Sequence, residues 1–269
     1  MPREESVVNP PSHCPRCQHR IAWYDNLPLI SFALLRGACR HCRAPIRWRY
    51  PIVELLTTVL TVAVLGRFGA GFIGLIYAAF VCGLIVSSFI DLELRIIPDE
   101  ISLGGLGLGL LCSVLVPALH QTDSRLVALG RSALGMLVGG GVLYVTGTAG
   151  DVMLLLFRRL GVCLRHDPYW RKKLSRYRHM RESMGGGDVK LLAMAGSILG
   201  WKLVLLTFFL APFLALIPGL VMLALNRSHY IPYGPFLSVG LVVSLFFGDH
   251  IMRAIGIEET VRILKECYF

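Results

Sequence analysis

The chain has 269 residues, a mean hydropathy of +0.63 and only 16% charged residues. A soluble domain carries about 25% charged residues, so the composition excludes an ordinary soluble enzyme and predicts a membrane protein. The net charge of +10 is concentrated in residues 1–51 and 158–181, which is typical of cytoplasmic loops and also of nucleic-acid binding. Because apolar segments adjoin both basic regions, the loop interpretation is favoured and no nucleic-acid partner is expected.

The N-terminal region contains two Cys-x-x-Cys pairs, Cys14 with Cys17 and Cys39 with Cys42. This spacing predicts a tetrahedral zinc site, and four thiolates close the coordination shell, so the metal is structural. Two disulfides are the alternative, but thiols stay reduced in the cytoplasm. We therefore predict that residues 1–51 form a small cytoplasmic zinc-knuckle domain whose folding depends on the metal.

Seven apolar segments follow the cysteine pairs, and a membrane span needs about 20 apolar residues. The fifth segment is short, and a bend at Gly200 instead of a loop gives six spans rather than seven. The polar N-terminus predicts no cleavable signal peptide. The segments are 52–68, 71–91, 101–119, 131–157, 188–199, 201–225 and 235–255.

Threading these segments from a cytoplasmic N-terminus predicts where the loops lie. The basic loop then falls in the cytoplasm, as the excess of Lys and Arg in such loops requires. Asp91 and Asp188 both reach the cytoplasmic face of the membrane. The predicted division is a zinc-binding domain at 1–51, a membrane helix bundle at 52–256 with its cytoplasmic loop at 158–187, and a C-terminal tail at 257–269.

Two aspartates at one membrane depth suggest acid–base chemistry. Asp91 ends an apolar run, and Asp188 follows the three glycines Gly185–Gly187. Ionisable residues at such positions are costly, and paired carboxylates that share a proton are typical of aspartyl proteases. The glycines would let a substrate backbone approach closely. Structural alternatives exist: Asp91 can pair with Arg95, and Asp188 can cap its helix.

Two other acidic positions have structural interpretations. Glu54 lies near the start of the first span, where we expect it to pair with Arg47 or Arg49. Asp99 or Ser102 can cap the helix that begins after the loop following Asp91. Neither position is therefore expected to carry chemistry.

Five parts of the chain match one known pattern together. They are the two cysteine pairs, Arg49–Thr57, Phe89–Asp99, Met184–Leu191 and Ile231–Phe236. In this combination the chain resembles the bacterial type IV prepilin peptidase family, also called type IV leader peptidases. The resemblance covers nearly the whole sequence. Members usually begin with a further span and a linker, whereas 13 residues precede Cys14 in this chain.

The resemblance implies an all-α polytopic protein of the bacterial inner membrane, with a GxGD-type aspartyl protease bundle. It implies Asp91 and Asp188 as the catalytic pair and the four cysteines as zinc ligands. Its expected substrates are type IV prepilins and type II secretion pseudopilins, cleaved on the cytoplasmic side, typically between Gly and Phe. Many members then methylate the new N-terminus with S-adenosylmethionine.

Two other functions fit parts of the sequence. A transporter or a secretion-assembly scaffold can use intramembrane acids for ion coupling. Transporters, however, show duplicated halves or broken paired helices, and no convincing repeat is present. A zinc hydrolase needs an open coordination position, which a four-cysteine site lacks.

Overall fold

The structure is a computed structural model that describes residues 12–27, 29–163, 185–224 and 232–256. Within these ranges the extended elements are two isolated antiparallel bridges, and the remaining regular structure is helical. The predicted all-α class is thereby confirmed. Most of the predicted loop 158–187 and all of the predicted tail 257–269 lie outside the described residues.

The chain divides into two compact units, Met1–Val86 and Ser87–Phe269. The boundary falls inside the apolar helix Phe72–Leu94, so this helix contributes residues to both units. The predicted boundary after residue 51 concerns which residues enter the membrane, so it stays a prediction.

The first unit contains the cysteine pairs, a 3₁₀ turn at Trp23–Asn26, the short helix α1 (Ile30–Leu34) and helix α2 (Arg49–Phe68). The backbone N–H of Leu29 donates to a carboxylate oxygen of Glu54 at 2.9 Å. Glu54 therefore accepts a backbone hydrogen bond here, and its expected pairing with Arg47 or Arg49 stays a prediction. This bond fixes the segment before α1 to the first turns of α2.

Helix α3 (Phe72–Leu94) follows α2 after a tight turn. Gly69 ends α2 with φ +79°, a conformation that favours glycine. A Cβ on Gly74 would lie 1.8 Å from the Gly69 carbonyl oxygen, so the turn leaves no room for a side chain there. The hydroxyl of Thr61 and the thiol of Cys82 lie 3.7 Å apart, which brings α2 and α3 together side by side.

The second unit is built around a short central helix. Besides the end of α3 it contains α4 (Asp99–Leu115), α5 (Arg125–Cys163), α6 (Gly186–Leu199), α7 (Trp201–Ala224) and α8 (Gly234–Ala254). Helix α6 packs against α4, α5, α7 and α8, and its residues Leu191–Ile198 are all buried. The core of this unit therefore surrounds α6, which begins with the glycine–aspartate segment.

Helix α6 is held in place by backbone contact with α5. A Cβ on Gly135 would lie 2.1 Å from the Gly196 carbonyl oxygen, and one on Gly196 would lie 2.0 Å from that of Gly135. Nearby, the hydroxyl of Ser132 donates to the Ser197 carbonyl oxygen at 2.7 Å. Small residues and interhelical hydrogen bonds are how membrane helices associate, because lipid provides no hydrophobic drive between them.

Five helices of the described residues are long and apolar enough to cross a membrane: α2, α3, residues Arg125–Met153 of α5, α7 and α8. The chain is therefore a multi-pass membrane protein. All seven predicted segments form helices, but α4 and α6 have only 17 and 14 residues. Pro117 follows the end of α4, and Gly200, with φ +80°, separates α6 from α7. The fifth predicted segment was expected to be short and to end at a bend at Gly200, as α6 does, whereas α4 is shorter than the full-length span expected of the third segment.

Candidate active site

Asp91 lies near the end of α3, where the helix leaves the apolar part of the chain. Its side chain is almost completely buried, with 7% of the residue exposed. Arg95 ends the helix in a left-handed conformation, φ +58°, and is itself exposed. Among the described contacts Asp91 has no ion pair with Arg95, whose charge acts from a greater distance. The predicted salt-bridge alternative is therefore not what the structure shows.

Asp188 lies in the first turn of α6 and is half-buried. The N-cap residue is Gly185, and the backbone N–H of Asp188 donates to its carbonyl oxygen at 3.1 Å. No side chain caps this helix, so the capping alternative for Asp188 is wrong. Its carboxylate is left available for another role.

The structure brings these two carboxylates to the same end of the second unit. Ile97, three residues after the end of α3, packs against Gly187 in the first turn of α6, and the negative charge of Asp91 acts on Asp188. Two carboxylates that repel each other compete to ionise, as acid–base pairs do. The geometry agrees with the pairing expected from sequence, and the catalytic role of the pair stays a prediction.

The three glycines before Asp188 have different surroundings. A Cβ on Gly186 would meet nothing within 4 Å, and Gly185 and Gly186 are both exposed. A Cβ on Gly187 would instead lie 3.1 Å from the Cβ of Ile97. The open side of the site is therefore at Gly185 and Gly186, whereas Gly187 is needed so that Ile97 can pack beside the pair.

A third segment, at the start of α8, reaches the site. The backbone amide of Gly234 is placed to donate to the Asp91 carboxylate, and a Cβ on Gly234 would lie 2.6 Å from its Oδ2 atom. Burial, together with the nearby Asp188 carboxylate, raises the pKa of Tyr233 to about 12. Sequence reasoning assigned no role to Tyr233 or Gly234. The available signal was a Pro-Tyr-Gly-Pro turn directly before the last span.

An ion pair links the helices beside the site. The ammonium group of Lys190 in α6 lies 2.6 Å from a carboxylate oxygen of Asp99 at the start of α4. The N-cap of α4 is Pro98 and no side chain caps it, so the expected capping by Asp99 or Ser102 is wrong. Asp99 instead joins two helices that border the aspartate pair.

The four cysteines converge in the first unit. Their sulfur atoms all lie within 4.8 Å of one another, and those of Cys14 and Cys42 are 3.8 Å apart. A tetrahedral zinc site with Zn–S bonds of about 2.3 Å has sulfur–sulfur distances of about 3.8 Å. A disulfide requires about 2.05 Å, and all four cysteines are free thiols. The cluster therefore has the donors and spacing to hold a metal ion.

Both cysteine pairs use the same backbone turn. In each, the amide of the first cysteine, Cys14 or Cys39, donates to the carbonyl oxygen five residues later. The amide four residues later donates back to the carbonyl oxygen of that first cysteine. Backbone N–H groups of Cys17 and Arg16 lower the pKa of the Cys14 thiol to about 6. Despite the backbone N–H of His19, burial and the neighbouring thiols raise the pKa of Cys17 to about 11, so the four thiols do not ionise equally.

Comparison with known protein families gives two matches that together cover most of the chain. A family model described as "Bacterial Peptidase A24 N-terminal domain" matches residues 1–68. A second, described as "Type IV leader peptidase family", matches residues 78–220 and includes both aspartates. No solved structure matches the chain.

Curated relatives agree with these matches. A protein of Aeromonas hydrophila is 34% identical over 262 residues, covering 94% of this chain and 79% of the relative. One from Pseudomonas aeruginosa is 32% identical over 251 residues, covering 92% and 75%. One from Burkholderia pseudomallei is 30% identical over 260 residues, covering 95% and 73%. All three bear the name "Prepilin leader peptidase/N-methyltransferase".

Proposed function

Because the chain belongs to the type IV leader peptidase family, we propose that it is an intramembrane aspartyl endopeptidase acting on type IV prepilins and pseudopilins. It removes the leader peptide, typically between Gly and Phe, and then methylates the new N-terminus. The relatives' shared name supports both activities. The observation that carries the proposal is that buried Asp91 and the glycine–aspartate segment lie around Ile97 and Gly234 at one end of the helix bundle.

The chemistry follows from one proton shared between two carboxylates. The ionised member takes a proton from a water molecule, whose oxygen attacks the scissile carbonyl carbon. The protonated member gives its proton to the carbonyl oxygen, which yields a neutral tetrahedral diol. When the diol collapses, the carbon–nitrogen bond breaks and the leaving amine receives a proton from the pair.

The bundle contributes position and access to this reaction. Burial of Asp91 excludes bulk water from one side of the pair. Exposed glycines, Gly185 and Gly186, leave room for an extended substrate backbone beside Asp188. Close approach of a peptide backbone is the usual reason for side chains to be absent at such a place.

Two bound groups belong to the proposal. The cysteine cluster holds one structural Zn²⁺, because its sulfur spacing fits a closed tetrahedral shell. S-adenosylmethionine is the methyl donor, since the relatives are named N-methyltransferases. When bound, it supplies a methyl group to the terminal amine that cleavage exposes.

The proposed location is the bacterial inner membrane, with the active site at the cytoplasmic face. The excess of Lys and Arg in residues 1–51 and 158–181 supports this orientation. The partners are the pilin-like protein substrates and the lipid bilayer, without nucleic acid. The leader of such a substrate lies on the cytoplasmic side, where the pair is expected.

Mass spectrometry of a prepilin incubated with the purified, reconstituted protein and S-adenosylmethionine tests both activities at once. The wild-type protein should give a product that lacks the leader and carries one added methyl group. Asp91→Ala and Asp188→Ala should each lower cleavage more than about 10³-fold, because an activated water needs both groups. Asp249→Ala, which removes an exposed acid near the other end of α8, should cleave like wild type. If the prepilin stays intact after incubation with the wild-type protein, the proposal is contradicted.

A further inference from the structure

At the start of α8, the backbone of Gly234 lies against Asp91. Gly234 is buried and is the first residue of α8. A Cβ at this position would lie 2.6 Å from Oδ2 and 3.3 Å from Cγ of Asp91. Real Cβ atoms essentially never approach an oxygen this closely, so any side chain would displace the carboxylate. Glycine is therefore required by the position of Asp91, and not by the conformation of a turn.

The contact is also attractive. The Gly234 amide is placed to donate to the Asp91 carboxylate, and it is one of the N–H groups that the first turn of α8 leaves without a helical partner. The positive end of the α8 dipole adds to the attraction for a negative side chain. A buried carboxylate near the end of α3 thus lies against the first residue of a helix more than a hundred residues later in the chain.

Ile97 closes the same corner. Its Cδ1 atom would lie 3.3 Å from a Cβ on Gly234, and its Cβ would lie 3.1 Å from one on Gly187. The absence of side chains at Gly187 and Gly234 lets this isoleucine pack between the starts of α6 and α8. Ile97, Gly187 and Gly234 therefore pack together beside Asp91.

We propose that Gly234 is a positioning residue that holds Asp91 in the orientation required for leader cleavage. It acts through Asp91 and need not contact the substrate. This inference rests on the proposed peptidase function, because the orientation of Asp91 matters for cleavage only if Asp91 takes part in it. It also gives the Tyr233-Gly234 turn a role that packing of the last span alone does not require.

The test compares Gly234→Ala with Gly107→Ala, a helical glycine of α4 whose added Cβ would meet nothing within 4 Å. Both variants are reconstituted as full chains and assayed for prepilin cleavage. Gly234→Ala should lower kcat about 10²-fold, because a displacement of about 1 Å from reactive geometry costs that much. KM should change less than threefold, and the unfolding temperature should stay near that of Gly107→Ala.

A double variant separates the carboxylate from Ile97. Ile97→Val removes Cδ1 and relieves the smaller clash, but it leaves the 2.6 Å contact with Asp91. Gly234→Ala/Ile97→Val should therefore stay as slow as Gly234→Ala. Recovery of kcat in the double variant, or wild-type kcat in Gly234→Ala, would overturn the inference. A loss of kcat matched by a lower unfolding temperature would also overturn it, by showing a merely structural role.

Failure of the inference can be distinguished from failure of the proposed function. If wild type cleaves prepilin, Asp91→Ala does not and Gly234→Ala does, only the inference falls. If wild type does not cleave prepilin, the proposed function falls, and the inference falls with it.

Discussion

The cysteine cluster and the aspartate pair are organised in opposite ways. The cluster is assembled from two local turns, each with the same backbone hydrogen bonds, and its four sulfurs converge at metal-binding distances. The pair is assembled from the ends of three helices, α3, α6 and α8, which are distant in sequence. A metal can hold a site together where there is little core, whereas the bundle must do so by packing helix backbones against each other. The two regions should therefore fail for different reasons.

Removal of a cysteine ligand should have the largest effect, and that effect should be confined to the cysteine region. Cys14→Ser leaves three thiolates, so bound zinc should fall from one equivalent to less than about 0.2, since structural sites need a closed shell. Structural zinc contributes about 10–16 kcal/mol in small metal domains, so the segment should become protease-sensitive. Elemental analysis and limited proteolysis measure both effects. Cys112→Ser, which removes a free thiol of α4, is the control, and an unchanged zinc content in Cys14→Ser would reject the ligand assignment.

Introducing a side chain between α5 and α6 should have the next largest effect and should leave the bound zinc content unchanged. Gly196→Ala places a Cβ 2.0 Å from the Gly135 carbonyl oxygen, so the helices must separate. We expect the free energy of unfolding to fall by about 1–3 kcal/mol, the usual cost of overpacking, or by more, because the backbone cannot move aside as a side chain can. Unfolding in detergent measures the loss, with Gly107→Ala as the matched control. Equal stabilities of the two variants would show that backbone contact does not hold the bundle.

Loss of the ion pair beside the site should have the smallest effect. The side chains of Lys190 and Asp99 are 40% and 58% exposed, so solvent screens their attraction. Lys190→Ala should cost less than about 1 kcal/mol, and added salt should reduce that cost further. A double-mutant cycle with Asp99→Asn isolates the pairwise contribution. A coupling as large as the loss in Gly196→Ala would contradict the expectation that solvent screens this pair.

The local features could be predicted from sequence because their information is local. Cysteine spacing specifies a convergent cluster, and the structure places the four sulfurs at the expected distances. Apolar runs specify helices, and all seven predicted segments are helical. Counting membrane crossings predicted that Asp91 and Asp188 lie at one face; in the structure the charge of Asp91 acts on Asp188, and the catalytic pair stays a prediction.

The remaining features depend on contacts between distant segments. Nothing in the Pro-Tyr-Gly-Pro turn itself indicates that Gly234 meets Asp91, because that contact depends on how α8 packs. Similarly, three adjacent glycines look equivalent in the sequence, yet Gly187 packs against Ile97 while Gly186 is open. The capping prediction for Asp99 is wrong because α4 begins at Asp99 and Pro98 occupies the N-cap, and the Asp99 carboxylate pairs with Lys190 on another helix. Local propensity was outweighed by tertiary contacts at each of these positions.

The length of α5 has a mechanical consequence for the aspartate pair. Its 39 residues extend about 58 Å at 1.5 Å per residue, roughly twice the bilayer hydrocarbon thickness of about 30 Å. Where it meets α6, the contact between Gly135 and Gly196 is backbone against backbone, and no flexible side chain lies between them to absorb a tilt. Any displacement of α5 at this contact must therefore also move α6, the helix that carries Asp188.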